Sequence, residues 1–188
     1  MARDKSSEDH NKDKRLFKKL TSKNWRQRDN VVNYFRRITK DESLPISDDE
    51  WAESFLACEL SLAVPYEVRN LFEVAQGVHC YGCYFYPLFT LGSEQLYRVL
   101  EAALRHKCDQ LKAPEGVNSF ERMVDWLRKN DVFSEQRYLQ WNAVRELRNS
   151  TTHAIQQNIM DPTGALRGLR TAEDLINELF RANEIASS

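Results

Sequence analysis

Ser93-Glu94-Gln95-Leu96-Tyr97-Arg98-Val99-Leu100-Glu101-Ala102-Ala103-Leu104-Arg105-His106-Lys107-Cys108-Asp109-Gln110-Leu111 is the stretch that decides the fold. Its apolar positions are Leu96, Val99, Leu100, Ala103, Leu104, Cys108 and Leu111. Steps of three and four put them on one stripe of an α-helix. No segment of the chain shows convincing period-two alternation, the mark of a half-buried strand.

Reading outward, a helix is expected from about Leu88 to Leu111, closed by the turn Pro114-Glu115-Gly116. Asn118 or Ser119 can cap a helix carrying Phe120, Met123, Val124, Trp126 and Leu127. Ser134-Glu135 opens another that carries Leu139, Trp141, Val144 and Leu147, with the last three as its buried face. Asp161-Pro162 is a cap followed by a proline at the first helical position. The last helix carries Leu166, Leu169, Ala172, Leu175, Ile176, Leu179 and Phe180. On the N-terminal side, Ser47-Asp48-Asp49-Glu50 is a capping-box pattern. It predicts a helix from about Asp48 through Trp51, Phe55, Cys58 and Leu62 that stops before Pro65. Pro65 can open the next, with Tyr66, Val68, Leu71, Phe72 and Ala75 buried and an end near Gly77. These elements predict an all-α fold, an antiparallel bundle of four to five main helices with short links.

Composition agrees. Hydrophobic residues make up 41% of 188, enough for a core, and Gly (6) and Pro (5) are too few for a loop-rich β fold. No apolar run approaches the length of a membrane span. Met1-Ala2-Arg3-Asp4-Lys5 leads into charge, so a secretory signal is not expected. Four Cys then read as reduced thiols in a cytoplasm.

The net charge of −1 conceals an asymmetry: residues 1–40 hold 13 Lys+Arg against 5 Asp+Glu, the remainder 14 against 23. Residues 1–47 read as a basic, helical and partly disordered extension, and 48–188 as the helical domain. Residues 1–12 look disordered, 13–21 and 24–39 can each form a basic helix, and 40–47 form a linker. Lys14, Arg15, Lys18, Lys19, Arg26, Arg28, Arg36 and Arg37 are the candidates for nucleic-acid contact. The alternatives are a solvated tail, or an arm that docks on its own acidic body.

The chemistry-bearing stretch is Arg148-Asn149-Ser150-Thr151-Thr152-His153. Arg offers a fork of donors matched to phosphate oxygens, and His titrates near neutrality. Spacing by itself is weak: 17 Arg and 4 His predict about one such pair by accident, and Arg3 with His10 is another. Context adds more. Arg148 lies four residues after Val144, beside the apolar face, where a charge needs a partner, water or a ligand. Asn149 to Thr152 are poor helix formers, so the helix is expected to end or kink there. A new turn from Thr151 or Thr152 would place His153 at a helix N-terminus, which favours phosphate and lowers an imidazole pKa. In the bland reading, Arg148 pairs with Glu146, Glu101 or Asp161 and His153 fills a gap between helices.

From about residue 85 to 182 the chain resembles the HEPN superfamily of helical-bundle proteins, many of them metal-independent ribonucleases. The resemblance rests on Arg148, Asn149 and His153, on their place late in one helix, and on the long helix before and the Leu-Phe-rich helix after. It implies that Arg148 and His153 are catalytic with Asn149 assisting, that Glu94 supplies a carboxylate from an earlier helix, and that the site assembles across a homodimer. It also implies RNA as substrate, no cofactor or metal, and a toxin-like or antiviral-defence role with an antitoxin or defence-system partner. In RNA the 2′-OH is a built-in nucleophile. His153 would move its proton and Arg148 would stabilise the phosphoryl charge, leaving a 2′,3′-cyclic phosphate and a 5′-OH. The alternative is a non-catalytic module of the same fold that binds RNA, a nucleotide or a protein.

Two other patterns are weaker. Cys80-x-x-Cys83 beside His79 is half a zinc site, and only His106 and Cys108 could complete it. Buried thiols in an aromatic core are the simpler reading. Tyr81, Tyr84, Phe85, Tyr86 and Phe89 could stack on bases, although such clusters are more often core.

Overall fold

The computed structural model describes residues 17–152 and 160–181, and of 149–152 the backbone only. Among them are six α-helices: α1 Asp48–Leu56, α2 Tyr66–Cys80, α3 Leu88–Gln110, α4 Phe120–Lys129, α5 Glu135–Thr152 and α6 Pro162–Arg181. Four are long, at 15, 23, 18 and 20 residues (α2, α3, α5, α6). The all-α class read from the sequence is the class found. The central element is α3, which packs on α2, α4, α5 and α6. Leu96, Val99, Leu100, Ala103, Leu104 and Cys108 are all buried on it. Leu111, the last residue of that stripe, falls on the C-cap and is 42% exposed.

Caps set the starts. Ser47 Oγ accepts from the Glu50 N–H at 3.1 Å, and the Glu50 carboxylate accepts from the Ser47 N–H at 2.9 Å. Each partner satisfies an N–H that the first turn leaves open. Ser119 caps α4 through the Arg122 N–H, and Asp161 accepts from the Gly164 N–H at the start of α6.

Two helix ends differ from expectation. α1 stops at Leu56 rather than continuing toward Pro65, and Leu62 is 85% exposed. The cause is tertiary. Glu173 and Asn177 of α6 accept from the N–H groups of Glu59 and Ser61, and the Asn177 amide donates to the Glu59 carbonyl. These side chains take the backbone groups that a further turn of α1 would have used. Gln76 of α2 closes the same corner, donating to the carbonyls of Phe55 and Cys58. α2 in turn runs on past Gly77 to Cys80, because its last turn buries His79.

Around that histidine the packing is close. The His79 ring is fully buried and stacks on Phe55, centroids 5.1 Å apart. A Cβ at residue 92 would lie 2.5 Å from the ring, so Gly92 is what lets α3 approach α2 here. His79 Nε2 is 3.5 Å from Ser93 Oγ, and Nδ1 has no partner.

The basic segment is where the sequence reading needs correction. In place of a helix over 24–39 there is a 3-10 turn, Asn30–Tyr34, followed by an antiparallel hairpin of β1, Arg36–Ile38, and β2, Ser43–Pro45. The described part of 13–21 is not helical either, and the expected linker supplies the hairpin turn and its second strand. The reason is Asp29. Its buried carboxylate accepts from the N–H groups of Val31 and Tyr86, and its own N–H donates to the Cys83 carbonyl at 2.8 Å. That network breaks any helix through Asp29 and ties the segment to residues 83–86. Val32 is fully buried, Phe35 stacks on Tyr86, and Phe17 meets Phe85 edge-on.

Candidate functional site

Arg148 is carried near the end of α5, one turn beyond the buried Val144. Its guanidinium lies 2.9 Å from a carboxylate oxygen of Glu101 on α3. The other Glu101 oxygen is 3.2 Å from Arg105, one turn further along α3. Two guanidiniums thus share one carboxylate. With two guanidiniums to one carboxylate, the group has a formal excess of one positive charge. Arg148 and Glu101 are 39% and 27% exposed, so the cluster is open to solvent and to an anion.

Glu101 is one of the three partners that the bland reading offered Arg148, and Glu94, the carboxylate the resemblance implies, stands exposed on α3. A seven-residue interval is about two turns, so both lie on nearly one stripe, about 10 Å apart along the axis. Which of them meets α5 depends on where the helices cross. Arg105 was not singled out in the sequence at all. Its signal, Glu101 and Arg105 at i and i+4, is common on solvated helices.

α5 passes unbroken through Asn149, Ser150 and Thr151 to Thr152. The expected new turn at Thr151 or Thr152 is not there; both residues belong to α5. Of Asn149 the backbone alone is described, and His153 lies outside the described residues.

Leu147, expected to be buried, is 59% exposed. It lines a groove of about 280 Å³ with Leu96, Tyr97 and Leu100 of α3 and Gly164, Arg167 and Gly168 of α6. Leu139, outside the expected buried face, is 60% exposed.

Four of the six described residues of the basic set are used internally. Arg28 pairs with Asp48 at 3.0 Å and donates to the Ile46 carbonyl. Arg37 pairs with Glu50, and Arg36 bonds Ser43 across the hairpin. Lys18 donates from its ammonium to the carbonyls of Asn24 and Gln27. Lys19 and Arg26 are exposed. Lys14 and Arg15 lie outside the described residues. Docking of the arm on its own acidic body is thus what Arg28 and Arg37 do.

The cysteines read as core. Burial pushes the Cys83 thiol up to about 12, and the Cys58 and Cys108 thiols up to about 11. Such thiols are not nucleophiles at neutral pH. His79 faces Phe55 and Ser93, and among the described residues no group of three or more His, Cys, Asp or Glu is placed to hold a metal ion. In the aromatic cluster Tyr86 and Phe89 are buried, while Tyr81 is 65% exposed. Lys107, another residue the sequence did not mark, is buried with its ammonium 5.6 Å from the Phe180 ring, and desolvation pushes its pKa down.

Among the described residues no helix is long and apolar enough to cross a membrane. Comparison with family models, curated proteins and solved structures found no match for this chain.

Proposed function

We propose that this chain is a metal-independent endoribonuclease of the HEPN type. The observation that carries the reading is the solvent-open cluster in which Arg148 and Arg105 share Glu101. A phosphodiester brought to this cluster meets two donor forks, one already oriented by a carboxylate. The substrate's own 2′-OH is the nucleophile, and His153 accepts its proton or returns one to the leaving 5′-oxygen. Arg148 stabilises the charge that grows on the phosphoryl oxygens, and Glu101 is a positioning residue for it. Asn149 adds a hydrogen bond to the phosphate or to Arg148. The products are a 2′,3′-cyclic phosphate and a 5′-OH. A second copy of the chain completes the site, and an antitoxin or defence-system protein controls it.

A second reading has its own support. Glu101 uses both carboxylate oxygens on arginines, an arrangement that also serves to pin α3 to α5 in a binding module without catalysis. The nucleophile separates the two. An RNA strand is expected to be cut and the same sequence with every 2′-OH methylated left intact, as read by denaturing electrophoresis. Cleavage of both strands would exclude the proposed chemistry, and cleavage of neither would favour the binding module.

A further inference from the structure

Residues 18–27 form a closed loop tied from inside. The Lys18 ammonium spans the carbonyls of Asn24 and Gln27. The Asn24 side chain accepts from the Thr21 N–H at 2.8 Å and donates to the Lys19 carbonyl at 2.9 Å. The Thr21 hydroxyl accepts from the Asn24 N–H and the Gln27 amide donates to the Lys23 carbonyl, so one cation, two amides and a hydroxyl hold the loop. Lys19, Lys23, Trp25 and Arg26 are all exposed. The Arg26 guanidinium lies 4.4 Å from the centroid of the Trp25 ring, and Trp25 is 53% exposed. Among the described residues, Lys19, Lys23 and Arg26 take part in no ion pair, unlike Arg28 and Arg37 nearby. An exposed indole that carries a cation and stands among lysines contributes nothing to the core.

We propose that this loop is a preformed dock for single-stranded RNA, separate from the Arg148 cluster. One base stacks on the indole, and the flanking phosphates lie on Lys19, Lys23 and Arg26. Stacking on an aromatic ring tolerates any base, and lysines follow a backbone without reading sequence. The internal ties mean that the loop does not have to be ordered on binding, a cost that weakens flexible arms. A membrane surface would also attract the cations. Inserting Trp25 into lipid, however, would drag the stacked guanidinium out of water, which is unfavourable. Duplex RNA offers no free base face to the indole. The choice of RNA as ligand rests on the function proposed above, while the site itself is distinct.

The test uses the whole chain and a fluorescent 2′-O-methyl single strand of about 12 nucleotides, a length on the scale such docks cover. This probe cannot be cut, so binding is read without cleavage. Trp25→Ala is expected to weaken binding about tenfold and Trp25→Phe to keep most of it. Lys19→Ala with Lys23→Ala is expected to reduce the slope of log affinity against log salt by about 1.4. Equal binding by wild type and Trp25→Ala, or a slope unchanged in the lysine variant, overturns the proposal. So does a Trp25-dependent affinity for phosphatidylserine vesicles with none for the strand. If RNA is cleaved and Trp25→Ala binds normally, the dock is wrong and the cleavage stands. If Trp25→Ala loses binding and no RNA is cut, the dock stands and the cleavage reading fails.

Discussion

Arg148→Ala is expected to slow RNA cleavage by about 10²–10³-fold, the typical loss when one preorganised donor to a developing charge is removed. The loss should fall on kcat, because the charge that Arg148 meets grows on the phosphoryl oxygens only as the transition state forms. Arg148→Lys should recover little of it. An ammonium is a point charge and cannot offer two parallel donors to a phosphate while one edge is held by Glu101. The fold should be indifferent. Arg148 and Glu101 are both partly exposed, and such ion pairs contribute at most about 1 kcal/mol after solvent screening. A thermal melt close to wild type, beside a rate lowered by two orders of magnitude or more, is the expected pair of results. A purely structural ion pair would give the reverse, a small loss of stability and an unchanged rate.

The second large effect lies in the core and depends on pH. Burial holds the His79 imidazole at a pKa of about 4, below its ordinary value of 6.5. Above pH 6.5 the ring is neutral in both the folded and the unfolded chain and adds no slope. As pH falls from 6.5 toward 4, the unfolded chain takes up a proton that the folded chain refuses, so stability falls. The difference of about 2.5 units corresponds to about 3 kcal/mol of stability lost across that window. The ring is stacked on Phe55 with Gly92 against it, the Ser93 hydroxyl lies 3.5 Å away, and a hydrogen bond with the Phe89 backbone offsets only part of the burial. Urea unfolding at pH 7 and pH 4 measures the loss, and His79→Leu isolates it from carboxylates that titrate in the same range. The drop from pH 7 to pH 4 should be about 3 kcal/mol smaller in the variant, whatever its stability at pH 7. An equal drop in both proteins would mean that His79 takes up its proton without disturbing the core.

The helices were legible because their signals are local. The Ser47 capping box, the Asp161-Pro162 start and the stripe from Leu96 to Cys108 need nothing beyond neighbouring residues, and each appears where the sequence puts it. What escaped depends on contacts distant in the chain. α1 is cut short by side chains more than a hundred residues away on α6. The basic segment gives up its helix to a buried aspartate that caps a turn and binds the Tyr86 N–H at once. The same limit governs the candidate site. Arg148 could be picked out from its place beside an apolar stripe. Glu101 was among the partners the sequence offered it, beside Glu146 and Asp161, and the choice among the three follows from where α5 crosses α3. Leu147 shares a helical face with Trp141 and Val144, but spacing says which residues share a face and not whether a neighbour covers them, and Leu147 borders an open groove.

The most direct measurement is the chemistry of the cut ends. RNA is incubated in EDTA with wild type and with His153→Ala, and the new termini are identified by mass spectrometry. The predicted result is fragments ending in a 2′,3′-cyclic phosphate, each followed by a 5′-OH, with the rate lowered by about 10²–10⁴-fold in the variant. Termini of another kind, or cleavage as fast in His153→Ala as in wild type, would contradict it.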